Sequence, residues 1–393
     1  MHIFSERTKV YLSGILLLII SVGVARFAYT PILPIMQAQT WLDDAAGGWL
    51  AAINYMGYFS GALIATTLTS PRWKYLFCKV AIVFAVLTTW MMAYTESMVI
   101  WSISRFIAGM CGAAGMVVVA GLILNWLLRH NYRPELGVHF MGVGLGIAII
   151  ALAMAGFLAM GMDWASLWTA FTVLTLVLCV PAWRWLPAPE GGLAPSANAM
   201  ADNPPSTKFF WLMMLAYFCA GYGYVIDATF IVDIVEQQPA LSGQGPLVFL
   251  ILGLAAMPAT VIWDRVARKT GYLKALLLAY WVQVVGIVLP VFTDSLLGVI
   301  VAALLFGGTF IGCVSLVLTM AGRFYPNQPA KLMAKMTLAY GAAQFVAPAL
   351  TGMLAEAFGN YDLGLLIAAG FVVFGSVILL WLIRLQKFEK ARL

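Results

Sequence analysis

Long apolar runs, separated by short polar breaks, recur along the whole of this 393-residue chain. A helix crossing about 30 Å of hydrocarbon needs roughly 20 apolar residues. Twelve runs reach that scale, approximately 10–36, 46–69, 75–94, 97–127, 136–160, 164–186, 209–235, 245–263, 272–292, 295–321, 332–357 and 361–384. Lipid admits spanning segments only as helices or closed barrels, and runs this continuous are not the short alternating strands of a barrel. They predict twelve transmembrane helices. The first run is too long for a signal peptide, lacks a small-residue cleavage pattern and carries Arg26, Pro31 and Pro34 in its outer half, so it is expected to stay as the first helix. The longest polar stretch, Pro187 to Thr207, holds little that could pack. It predicts a flexible linker and a division into an N-terminal six-helix bundle (1–186), a cytoplasmic linker (187–208) and a C-terminal six-helix bundle (209–393).

Composition agrees with lipid as the main solvent. The chain is 63% hydrophobic and 10% charged, against roughly 25% charged in a soluble domain. A net charge of +6 would suggest nucleic acid in a soluble protein, but here the placement of charge explains it. Taking the breaks between helices alternately, one set holds 20 of the 22 Lys and Arg residues, from Arg7 and Lys9 to Lys390 and Arg392. The other set holds only acids: Asp43, Asp44, Glu96, Asp163, Asp233, Glu236, Asp294, Glu356 and Asp362. The positive-inside rule then puts both termini in the cytoplasm, and a miscounted helix would invert the alternation downstream. No nucleic-acid partner is implied.

Other function classes lack their chemistry. The five cysteines stand singly in apolar stretches with no CxxC pair or Cys/His cluster, so no disulfide framework, metal site or cofactor is expected. No pairing of nucleophile and base, no HExxH spacing and no P-loop is present, which argues against an enzyme and against ATP-driven transport. A membrane sensor without transport would normally add a soluble domain, and every loop is too short to fold alone. His2 and His130 fall in cytoplasmic segments; His139, at the start of the fifth helix, is expected to be neutral and reachable by water.

Short motifs carry a family resemblance over the whole chain. Trp263-Asp264-Arg265-Val266-Ala267-Arg268-Lys269, between helices 8 and 9, resembles the D-R-x-G-R-K loop of the major facilitator superfamily, with Ala267 in place of Gly. The matching loop between helices 2 and 3, Thr66 to Arg72, has no acid. Arg105-Phe106-Ile107-Ala108-Gly109, followed by Gly112 and Gly115, is similar to that superfamily's R-x-x-x-G pattern on helix 4. With the stretches Gly23–Pro34 and Gly221–Phe230, the chain looks like the bacterial YbfB/YjiJ-like branch. The resemblance implies an all-α major facilitator fold in a bacterial inner membrane, a monomer, and secondary transport by alternating access. It also implies that helices 1 and 7 face one another across a central cavity, and that Asp264 and Arg265 form a charge latch. The fifth helix lacks the G-P step of the superfamily's drug–proton antiporters.

An ionisable group at membrane depth costs at least about 2.5–3.5 kcal/mol, so it is expected to face water or a partner. Arg26, Arg105 and Asp227 are such groups. Arg26 lies 17 residues beyond Lys9 and Asp227 lies 19 beyond Lys208, roughly 25–28 Å along a helix. Arg105 follows Glu96 by nine residues, roughly 13 Å. Arg26 offers a planar, permanently charged fork that matches a carboxylate; its structural alternative is an ion pair with Asp227. Asp227 could carry a proton, since burial and a nearby arginine act oppositely on a carboxyl; its alternative is a permanent charge that locks the halves. Arg105, beside glycines, suits a gating or structural part, as do Asp264, Arg265 and Arg268. Tyr29, Asn54, Tyr224 and Gln344 are candidates to line a substrate site. These residues predict proton-coupled movement of a small organic anion through the bilayer. Proton-driven efflux of amphipathic cations is the alternative, disfavoured by a fixed Arg26.

Overall fold

A computed structural model describes residues 5–68, 70–132, 136–189, 204–324 and 329–390. Among them the chain is helical with no strand, as lipid demands of a backbone with no water to bond to. The helices are α1 (Glu6–Gln39), α2 (Asp44–Thr67), α3 (Pro71–Tyr94), α4 (Met98–Arg129), α5 (Gly137–Ala159), α6 (Trp164–Trp185), α7 (Thr207–Glu236), α8 (Gly245–Thr270), α9 (Tyr272–Val288), α10 (Leu296–Phe324), α11 (Pro329–Phe358) and α12 (Asp362–Lys390). Eleven are long and apolar enough to cross a membrane. The exception, α2, has the length, 24 residues, but Asn54, Tyr55, Tyr58 and four glycines dilute its apolar character.

Helix starts follow side-chain capping, which satisfies backbone N–H groups that the first turn leaves bare. Ser5 accepts from the Thr8 N–H, Ser70 from Arg72, Asp163 from Ser166 and Ser206 from Phe209. At Asp163 these bonds, first the side-chain and then the backbone contact with Ser166, hold the carboxyl below its ordinary range. The helix gains that stabilisation above the ordinary carboxylate pKa and loses it as pH falls through the lowered one. The α8–α9 connection is a single residue. Gly271, at φ 89°, lets α8 stop and α9 start, and its N–H still reaches the Ala267 carbonyl at 2.8 Å.

Two compact units divide the chain. The first joins residues 1–43 to 53–198; the second joins 44–52 to 199–393. The expected linker lies mostly outside the described residues, as do Arg133 and Arg392. In the first unit α1 is the inner helix: 83% of its apolar window is buried, against 33% for α6. Leu17 and Ile20 of α1 share a core with Ala85 of α3 and Ile123 of α4. In the second unit α7 packs on α11 and α12, and α10 packs on α8 and α9. Outward faces of α3, α6, α9 and α12 expose Val83, Leu87, Val177, Leu278 and Val377, the pattern of helices solvated by lipid.

One grouping was not expected from the runs. The first turns of α2 fall with the second unit, where Gly48 meets α11 at Gly352 with no side chain on either to hold the backbones apart. Near this contact Tyr361 donates to Asp44 Oδ1 at 3.3 Å and to Asp233.

Candidate functional site

In the first unit, Arg26 sits in a break of regular α geometry. Residues Ile19–Phe27 are π-helical, so the Ala28 N–H bonds five residues back to the Gly23 carbonyl at 3.1 Å. Such stretches are rare and collect at functional sites. Pro31, five residues after Arg26, has no N–H to give. Arg105 supplies donors in its place: Nη1 to the Ala25 carbonyl at 2.9 Å and Nη2 to the Arg26 carbonyl at 3.5 Å. Its guanidinium lies over the Tyr29 ring, 4.4 Å from the centroid. Arg105 thus braces the bent part of α1, and Tyr29 packs on the brace.

Asn54 belongs to the same brace. Its Nδ2 donates to the Arg105 carbonyl at 2.8 Å, where α2 and α4 meet backbone to backbone. A Cβ on Gly57 would overlap the Phe106 carbonyl oxygen, and one on Gly109 would overlap that of Asn54. Replacing Gly109 by Val should therefore overpack this crossing, at a cost of about 1–3 kcal/mol. The expected reading is a lower melting temperature in detergent together with weaker ligand binding; an unchanged melt would mean the helices separate freely.

Arg26 is 7% exposed, and its side chain lies on tyrosine faces, 4.0 Å from the Tyr55 centroid and 5.3 Å from that of Tyr58. Cation–π contact of this kind orients a guanidinium without neutralising it. Neither Tyr55 nor Tyr58 is among the residues expected to line the site; a tyrosine beside a glycine-rich crossing gives no periodic signal of its own.

In the second unit the rings of Tyr217, Tyr340, Tyr224 and Phe310 stack in series, with centroids 4.5, 5.7 and 5.2 Å apart. α7 and α11 run side by side in the same direction: Lys335 lies over Phe210, and further along the Tyr340 carbonyl abuts Gly221. One turn beyond the Tyr224–Tyr340 contact come Asp227 on α7 and Gln344 on α11. Asp227 is 0% exposed, and neither carboxyl oxygen has a hydrogen-bond partner among the described residues. Gln344 is 1% exposed, and its Oε1 also lacks a partner. Thr337, on the same face of α11, is back-bonded to the Met333 carbonyl.

Two expectations need correction. α8 runs to Thr270, seven residues beyond the apolar run, so the Asp264-to-Lys269 motif lies on the helix end. Asp264 bonds Arg268 one turn on, at 2.6 and 3.0 Å, while Arg265 is exposed. The apolar run stopped where charge began, but Arg, Ala and Lys are good helix formers. His139 is 0% exposed, not water-reachable: Gly14 of α1 leaves room for its ring, and Nε2 meets the Gly115 carbonyl at 3.3 Å.

A profile of the family described as Uncharacterised MFS-type transporter YbfB matches residues 18–380. The chain belongs to this family of major facilitator transporters. Among curated relatives, it is 23% identical over 267 residues to the uncharacterized MFS-type transporter YceJ of Bacillus subtilis (strain 168). That match covers 65% of this chain and 66% of the relative, so it spans just under two thirds of the relative's length. Among solved structures, a D-xylose-proton symporter superposes with a TM-score of 0.73, covering 96% of this chain and 97% of the other. The nucleoside transporter NupG superposes with a TM-score of 0.70, covering 96% and 100%. Both are 12% identical and show the fold alone. The YbfB-family chain is a multi-pass membrane protein.

Proposed function

We propose that this transporter moves a small organic anion, with a carboxylate as its charged group, in step with a proton. The observation that carries the reading is Asp227, fully buried with both oxygens lacking a hydrogen-bond partner among the described residues. An ionised carboxylate so placed carries a desolvation penalty of several kcal/mol; a bound proton removes it. Such a carboxyl is stable loaded and unstable empty, as a proton carrier needs. Arg26 is the anion's partner, held on Tyr55 and Tyr58, its fork suited to two parallel bonds to a carboxylate. Tyr224 and Gln344 contribute a ring edge and an amide to the substrate. Tyr29, Asn54 and Arg105 act indirectly by bracing α1, and Asp264 with Arg268 holds the end of α8.

The charge asymmetry supports a bacterial inner-membrane location with both termini cytoplasmic. One observation favours a second reading, proton-driven efflux of cations: the ring stack beside Asp227 suits a flat, positively charged ligand. A thermal-shift screen in detergent, at two pH values, separates the two. A ligand that binds only the folded state stabilises it by RT ln(1 + [L]/Kd). Small carboxylates are expected to raise the melting temperature and lipophilic cations to leave it unchanged; the reverse would overturn the anion reading in favour of efflux.

A further inference from the structure

The second unit has a cavity of about 590 Å³ at the ends of α9, α10 and α12, beside the one-residue α8–α9 connection. Two cations, Lys274 and Arg323, line it with Tyr272 and Gln386. The Arg323 guanidinium is held over the Tyr272 ring at 4.6 Å. Neither cation is paired with a carboxylate among the described residues, and the nearby Asp264 is taken by Arg268. The Tyr272 hydroxyl is shielded from solvent and has no hydrogen-bond partner among those residues. Apart from Thr270, the rest of the wall is apolar, formed chiefly by Met320, Phe324 and Ile383. The cavity therefore joins a cationic mouth to an oily wall.

The first unit provides an internal comparison. Its third, fourth and sixth helices, α3, α4 and α6, correspond in order to α9, α10 and α12. A pocket lies at the matching ends, again with a lysine from the first turn of the third helix, Lys74, and an arginine from the end of the fourth, Arg129. Pro187 to Pro189, the chain leaving α6, also line that pocket, and its volume is about 60 Å³. Binding cavities for small molecules run to about 300–1,000 Å³, so the second pocket has room for a ligand and the first has room for water. In the first, Arg129 is also engaged by Asn125 Oδ1 at 2.8 Å.

We propose that the α9–α10–α12 cavity binds the phosphate head of an anionic membrane lipid. Lys274 and Arg323, the latter steadied by the Tyr272 ring, would take the phosphate oxygens, and the apolar wall the start of an acyl chain. A soluble phosphate shares the first chemistry and not the second. Basic pockets at the ends of transmembrane helices are suited to such heads.

The test is thermal unfolding of the full-length protein in detergent with phosphatidylglycerol, phosphatidylcholine or inorganic phosphate added. Phosphatidylglycerol is expected to raise the melting temperature and the other two to leave it unchanged. The rise should vanish in the double variant Lys274→Gln, Arg323→Gln and persist in the matched control Lys74→Gln, Arg129→Gln. Should the double variant not fold, Ile383→Trp fills the cavity without touching charge and is expected to lose the rise as well. An equal rise with phosphatidylcholine, or one that survives both cavity variants, would overturn the proposal. A rise reproduced by inorganic phosphate alone would overturn the lipid in favour of a soluble anion.

Discussion

Replacing Asp227 with Asn should abolish uphill transport while leaving a folded protein that still exchanges substrate. Asn matches the neutral carboxyl in shape and cannot release a proton. If Asp227 is the carrier, the variant mimics the loaded state permanently. Its amide adds two donors that need partners in the same buried place, a penalty of about 1–3 kcal/mol, too little to unfold a protein of this size by itself. In proteoliposomes an imposed gradient of one pH unit supplies about 1.4 kcal/mol per proton, or about tenfold accumulation for one-to-one coupling. Accumulation in the variant is expected to fall to about onefold, with exchange of labelled for unlabelled substrate retained. Tenfold accumulation in Asp227→Asn would remove Asp227 from the proton's path. Loss of exchange together with accumulation would mean instead that its acceptor oxygens are needed to bind substrate.

The brace around Arg26 bears on why some of this could be read in the chain and some could not. Lipid imposes one rule on every spanning segment, about 20 apolar residues in a helix, so the twelve helices stand out as runs. Even α2, diluted by Asn54 and its tyrosines, is recoverable because each helix must alternate the sign of the loops around it. Charge at membrane depth is costly enough to be conspicuous, which is how Arg26, Arg105 and Asp227 emerge from composition alone. The remaining features depend on contacts between helices, and hydropathy holds no record of them. The π-helical stretch of α1 needs Arg105 from α4 to take the Ala25 and Arg26 carbonyls. The burial of His139 needs the missing side chain of Gly14. The ring series needs the register of α7 on α11, which brings Tyr224 and Tyr340 together. The end of α8 was hidden for another reason: apolar content marks where a helix leaves lipid, not where it stops.

Arg26 should divide affinity from folding in a way that a structural arginine would not. Arg26→Ala removes the fork, and a charge-assisted pair of hydrogen bonds is worth about 1.5–3 kcal/mol. Carboxylate affinity is therefore expected to drop about 10- to 100-fold, read as the loss of the thermal shift at a fixed carboxylate concentration. Arg26→Lys keeps the charge and loses the planar geometry, so it should fall between wild type and Ala. Tyr55→Leu removes the ring 4.0 Å beneath the guanidinium and should weaken binding by the smaller amount of a cation–π contact, about 0.5–2 kcal/mol, with the charge intact. Arg105→Ala provides the contrast. It strips the Ala25 and Arg26 carbonyls of their donors, so it should lower the melting temperature of the ligand-free protein as well as affinity. If Arg26→Ala instead melts early and binds carboxylates as well as wild type does, the arginine is a strut, and the substrate's charge must be met elsewhere.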